Sequence, residues 1–213
     1  MENKITELES VGLFIDGGYY AKINEALEEV YSVNINMTAL IAYIRRRISE
    51  LSGTDISACH ITESHYFRGR YGVNAASGQH LLYDERKFED ALIENDVIFH
   101  YKPLRQVREN GVQKTIEKGI DVWFALEAYE LSTIRKFDYV VLITGDADHE
   151  MLIKKLKALK IYTILLTWDV PKGGGGSSTA ASLKEETCMH MEFSKIASED
   201  KDFIKSICRP VFK

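Results

Sequence analysis

Phe137-Asp138-Tyr139-Val140-Val141-Leu142-Ile143, followed at once by Thr144-Gly145-Asp146-Ala147-Asp148, is the stretch that decides the fold. Its first seven residues are apolar apart from Asp138. A strand with one wet face alternates apolar and polar residues. An unbroken apolar run fits a strand covered on both faces, as in a parallel sheet with helices above and below. Val11-Gly12-Leu13-Phe14-Ile15 is a second such run, and it stops at Asp16-Gly17-Gly18.

Around these two runs, helical spacing over 19–31, 38–51, 81–93, 120–131 and 148–159 alternates with strand-like runs at 56–67, 97–101 and 161–166. Residues 69–78 are turn-rich and 102–119 read as a polar connector. Residues 173–178 read as a glycine-rich loop, natural or engineered, and a helical segment is expected over 179–213. The alternation predicts an α/β chain: a three-layer α/β/α sandwich with a mostly parallel central sheet, in a single domain over 1–213 with its core at about 10–170.

The chain has 213 residues and a formal charge of −5, with 27 basic and 32 acidic side chains. That balance excludes a polybasic binder, whose pI lies above about 9. No run nears the roughly 20 apolar residues of a membrane-spanning helix, so no membrane partner is expected. Three scattered cysteines, Cys59, Cys188 and Cys208, suit a reducing, cytoplasmic setting. Cys188 and His190 have no second pair at zinc-site spacing. P-loop and nucleophile-elbow motifs are absent.

In a parallel sheet, ligands bind beyond the carboxyl ends of the strands. Asp16 ends one strand, and Asp146 and Asp148 follow another, so the topology puts all three on one edge. Asp121 opens the helix after Lys118-Gly119-Ile120. Glu127, six residues on, lies about 120° around that helix. Each acid also has a structural reading, as a turn residue, a helix cap or a first-turn partner of the helix dipole. As a group they need a counter-ion, since two carboxylates at 4 Å repel by roughly 4 kcal/mol at an effective dielectric near 20. Oxygen-only donors suit Mg²⁺ or Mn²⁺, and such ions activate water and stabilise the oxygens of phosphodiester cleavage.

Three segments carry a resemblance. Phe14-Ile15-Asp16-Gly17-Gly18-Tyr19-Tyr20, Lys118-Gly119-Ile120-Asp121-Val122 and Val140-Val141-Leu142-Ile143-Thr144-Gly145-Asp146-Ala147-Asp148 resemble, in order and spacing, the motifs of NYN domains. These belong to the PIN-like nuclease superfamily, and the LabA-like bacterial branch looks closest. The resemblance covers roughly residues 10–170. It implies a PIN-like, Rossmannoid sandwich and a metal-dependent endoribonuclease, with Asp16, Asp121, Asp146 and Asp148 as catalytic and metal-holding acids. Thr144 matches the family's hydroxyl residue beside the last acids. Gly18, Glu127 and His149 depart from the usual pattern, with Glu127 standing as a supporting acid where Asp is common. A homodimer is expected by analogy with other PIN-like proteins.

RNA contacts are sought in two acid-free stretches. Residues 65–83 hold Arg68 and Arg70 among Tyr66, Phe67 and Tyr71, and residues 97–108 hold Lys102, Arg105 and Arg108. Cations beside aromatic rings suit a single strand, and a solvated surface over core aromatics is the alternative. Lys118, and His149 beside the acids, are further substrate candidates. His65 and His100 are read mostly as structural, Arg45-Arg46-Arg47 as a solvated face, and Trp123, Phe124 and Tyr129 as core. Besides the ribonuclease, two functions stay open. One is a non-catalytic regulator that binds RNA or protein; the other is an enzyme acting on a small molecule in the same cleft.

Overall fold

The computed structural model describes residues 8–72, 81–109, 112–171 and 176–211. Six strands form the central sheet: β1 (Glu9–Asp16), β3 (Cys59–Arg70), β4 (Val97–Pro103), β7 (Tyr139–Ile143), β8 (Tyr162–Thr167) and β9 (Met189–Glu192). Their order is β4-β3-β1-β7-β8-β9, and every pairing is parallel. The strand carrying Asp16 therefore lies directly beside the strand that precedes Asp146.

Neighbouring residues of a strand point to opposite faces, and both faces here are covered. Leu13, Ile15, Val141 and Ile143 pack with α1 (Gly17–Tyr31) and α2 (Met37–Ser52). Phe14, Val140, Leu142 and Leu165 pack with α4 (Ile120–Arg135) and α5 (Glu150–Ala158). Val140 to Leu142 have no exposed surface, as the apolar run predicts. Helix α3 (Leu82–Ile93) leads into β4. Among the described residues no helix is long and apolar enough to cross a membrane.

Three expectations change. The polar connector is β-structure: β5 (Arg105–Glu109) pairs antiparallel with β6 (Val112–Ile116). The C-terminal stretch is not wholly helical. After α6 (Ala181–Glu186), β9 extends the sheet. Then α7 (Phe193–Glu199) and α8 (Phe203–Ile207) bury Phe193, Phe203 and Ile207, and β10 (Cys208–Pro210) pairs with β2 (Val33–Ile35). Tyr129 is 38% exposed rather than core, because it lies on the outer face of α4 with Val122 and Leu126, whereas Phe124 is buried. Of the glycine run 173–176, residues 173–175 lie outside the described residues.

Candidate active site

The chain passes from β1 into α1 with no loop between them, and Asp16 makes this turn possible. Its Oδ1 accepts the backbone N–H of Gly18 (2.9 Å) and of Tyr19 (3.1 Å), capping the helix. Gly17 must lack a side chain, since a Cβ there would stand 2.5 Å from the Phe67 carbonyl and 2.6 Å from the Tyr66 ring. The Asp-Gly-Gly motif thus joins a cap to a close helix–sheet approach.

Asp16 Oδ2 accepts the Thr144 hydroxyl proton at 3.1 Å. Thr144 Oγ1 in turn accepts the Asp146 N–H (3.3 Å) and lies 3.0 Å from His149 Nδ1. With the hydroxyl proton spent on Asp16, Nδ1 must carry the imidazole hydrogen. Nε2 is then bare, and it is buried without a partner. The imidazole lies 4.5 Å from the Phe124 ring. Thr144 and His149 are 0% and 1% exposed, so they brace Asp16 from beneath and cannot reach a bound strand.

Asp146 caps the short turn 147–149 by accepting the Asp148 N–H at 3.0 Å, so the cap falls to Asp146 rather than Asp148. Asp121 sits in the first turn of α4, whose entry through Gly119 has φ +76°, a left-handed conformation that glycine tolerates. Burial raises the Asp121 carboxyl above the usual range, and the charges of Asp16, Asp146 and Asp148 add to it. Asp121 therefore shares this edge with the other three aspartates and feels their charge.

A fifth acid joins them. Glu117 Oε2 accepts the Gly69 N–H at 2.9 Å. Its carboxyl is raised by burial and then by the charges of Asp16 and Asp121. The signal in Glu117-Lys118-Gly119-Ile120-Asp121 was its place four residues before Asp121, in a stretch read as connector. Glu127 lies elsewhere: it accepts the Trp123 Nε1–H at 3.1 Å, and its charge acts on His65 and His100. Those two imidazoles are 2.9 Å apart, stacked with Phe14 and Phe67, and burial lowers both.

The cations divide. Arg70 is tied to Glu85 (3.7 Å) and Glu89 (3.2 Å), which fastens β3 to α3 and leaves it little freedom for phosphate. Lys102 Nζ stands 3.0 Å from where a side chain at Gly119 would begin, near the start of the Asp121 helix. Lys118 is exposed just before that helix, and Arg105 and Arg108 are exposed on β5. Arg68 interacts with Tyr66 and Glu117. In the arginine triplet, Arg45 donates to the Cys59 and Ile56 carbonyls, Arg46 lies over the Tyr43 ring and Arg47 pairs with Glu50.

Among the described residues, no three His, Cys, Asp or Glu side chains are grouped closely enough to hold a metal ion between them. Asp16 also spends three of its roughly four lone-pair sites on Gly18, Tyr19 and Thr144. One site remains. The donor chemistry still fits Mg²⁺ or Mn²⁺, because Mg²⁺ is usually bound through one or two carboxylates, with water and substrate phosphate completing its shell.

Asp121→Asn follows as a stability test. A raised carboxylate destabilises the folded state above its folded pKa, and that cost vanishes as pH falls below its unfolded value. The carboxyl is largely exposed, so solvent screening keeps the effect small. Without metal at neutral pH, Asp121→Asn should raise the melting temperature by about 1–2 °C, and the curves should converge near pH 3.5. A lower melting temperature at neutral pH contradicts the crowded-carboxylate reading.

The chain is 25% identical over 129 residues to the low amplitude and bright protein LabA of Synechococcus elongatus. That match spans 60% of this chain and 62% of the relative's length. A crystal structure of a protein of unknown function from Vibrio parahaemolyticus RIMD 2210633 shares the fold at a TM-score of 0.57 and 16% identity, covering 90% of this chain and 96% of the other. The NYN domain model matches residues 10–190, a span that takes in β1 from Ser10 on, all four aspartates and Glu117, and by that match the chain belongs to the NYN domain family.

Proposed function

We propose that this protein is a divalent-metal-dependent endoribonuclease. One observation carries the reading: Asp16, Asp121, Asp146 and Asp148, with Glu117, gather at the carboxyl edge of a parallel sheet, where burial first and the neighbouring carboxylate charges second raise Asp121 and Glu117. Asp16, Asp121 and Asp146 would hold Mg²⁺ or Mn²⁺, with Asp148 orienting water. The bound ion would supply a water of lowered pKa and neutralise charge developing on the phosphate oxygens. Lys102 and Lys118, at the entry to α4, place positive charge where a phosphate would approach. Thr144 and His149 hold the Asp16 carboxylate in one orientation. Incubation of labelled single-stranded RNA with Mn²⁺ should give endonucleolytic products, and EDTA should stop their formation. RNA left intact with Mn²⁺, Mg²⁺ and EDTA alike would sink the assignment.

A non-catalytic RNA- or protein-binding role is the second reading, favoured by the lack of a ready-made three-ligand group among the described residues. Calorimetry with Mn²⁺ separates the two, since a regulator needs no metal. Thr144→Val tests the bracing of Asp16. It keeps the shape, removes the hydroxyl and leaves the Asp146 N–H and His149 Nδ1–H unpaired. Cleavage should fall about 10–100-fold, as for other supporting groups of metal sites, with a stability loss of about 1–3 kcal/mol. Thr144→Ser should restore both. Parental cleavage in Thr144→Val would mean that Asp16 needs no brace.

A further inference from the structure

A cavity of about 860 Å³ opens between α1, α3 and the β2–β10 ribbon, within the range of about 300–1,000 Å³ usual for ligand sites. Its floor is aromatic. The Tyr20 and Tyr66 rings are 6.1 Å apart and those of Tyr66 and Phe88 5.2 Å apart, and Phe88 is the member open to solvent. Three cations, Arg68, Lys87 and Arg209, stand around it, as do the carboxylates of Glu25, Glu28 and Asp84.

Arg68 connects this cavity to the acidic edge. Its guanidinium interacts with the Tyr66 hydroxyl and with the Glu117 carboxylate. The same hydroxyl donates to the carbonyl of Gly17, the residue after Asp16, at 3.5 Å. Among the described residues Arg68 forms no ion pair within 4 Å, although Arg70 two positions on is held by two glutamates. A guanidinium with no carboxylate within 4 Å among the described residues, half-sunk between an acidic site and an aromatic cavity, matches the fork geometry of a phosphate.

We propose that this cavity is a subsite for the single-stranded RNA flanking the cut phosphate. The direction from the acids into the cavity rests on the nuclease reading above. Arg68 holds the phosphate next to the cut one, Lys87 and Arg209 lie along the strand, and a base settles over Phe88. The carboxylates suit this occupant too, because they accept N–H groups from base edges. Equal numbers of cations and acids disfavour a duplex, whose two phosphate ladders would meet the glutamates. A short strand presents phosphate and base edges to different walls.

Binding of a short fluorescein-labelled oligoribonucleotide, read by anisotropy in the Asp146→Asn background with Mg²⁺, separates binding from cutting. Lys87→Glu combined with Arg209→Glu should weaken binding at least about tenfold and flatten its salt dependence by about one slope unit per lost phosphate contact. Lys160→Glu, at the opposite edge of the sheet, should leave binding unchanged. If Arg209→Glu disturbs β10, Lys87→Glu on the exposed face of α3 carries the test alone. Unchanged affinity in the cavity variants, equal weakening by Lys160→Glu, or no binding by the background protein overturns the subsite, even where the parent protein cleaves RNA. Weakened binding in a protein whose parent never cleaves supports the subsite and overturns the nuclease reading instead.

Discussion

Asp16→Asn should lower RNA cleavage on the order of a thousandfold, the upper scale for losing one preorganised electrostatic group, while the protein stays folded. Asparagine caps helices as well as aspartate does, so its oxygen keeps the Gly18 and Tyr19 bonds and α1 stays in place. Its amide nitrogen then faces Thr144, where a carboxylate oxygen used to accept. The Thr144 proton loses its acceptor and turns toward His149 Nδ1, which forces the other imidazole tautomer and buries an unpaired Nε2–H. The negative charge is lost and the brace runs backwards. Cleavage rates measured beside melting curves check this. Cleavage within tenfold of the parent, in a folded variant, contradicts the role given to Asp16.

Phe14→Ala is the largest expected stability effect. Phe14 lies at the middle of the central strand with no exposed surface. It stacks on His65 at 5.3 Å and meets Phe124 and Phe137 edge-on at 6.5 and 6.3 Å. Truncation leaves a cavity between a sheet paired on both sides and α4, where little can collapse, so about 3–5 kcal/mol should be lost. The melting temperature should fall by about 10 °C. Val122→Ala, on the outer face of α4 at 61% exposure, should stay within about 0.5 kcal/mol. Denaturant unfolding of both variants checks the contrast, and a Phe14→Ala loss below about 1 kcal/mol contradicts the two-faced core.

The central sheet was legible because buried parallel strands leave a mark in composition. Val140 to Ile143 and Leu13 to Ile15 are apolar at successive positions, and the topology then brings Asp16 and Asp146 to one edge. The β5–β6 hairpin was harder to read. Its strands are short and polar, and they lie in a segment taken as connector. Strand β9 reads Met-His-Met-Glu, without β-branched residues, and its place comes from docking on β8. Glu117 was missed because its relation to Asp16 is tertiary, through Gly69 on another strand. Thr144 was picked for its match to the family's hydroxyl residue, and His149 for closeness in sequence to the acids. Burial decides their part, and it turns substrate candidates into supports. The pairing of Arg70 with α3 likewise needed the packing of a helix far along the chain.

The central claim is that the edge aspartates cut RNA with a divalent ion. Cleavage of one labelled single-stranded RNA by the parent protein and by Asp146→Asn, at equal concentration in the same Mn²⁺ buffer, tests it most directly. The account predicts endonucleolytic products from the parent and a loss of at least about a hundredfold in the variant. Equal cleavage by the two proteins would contradict it.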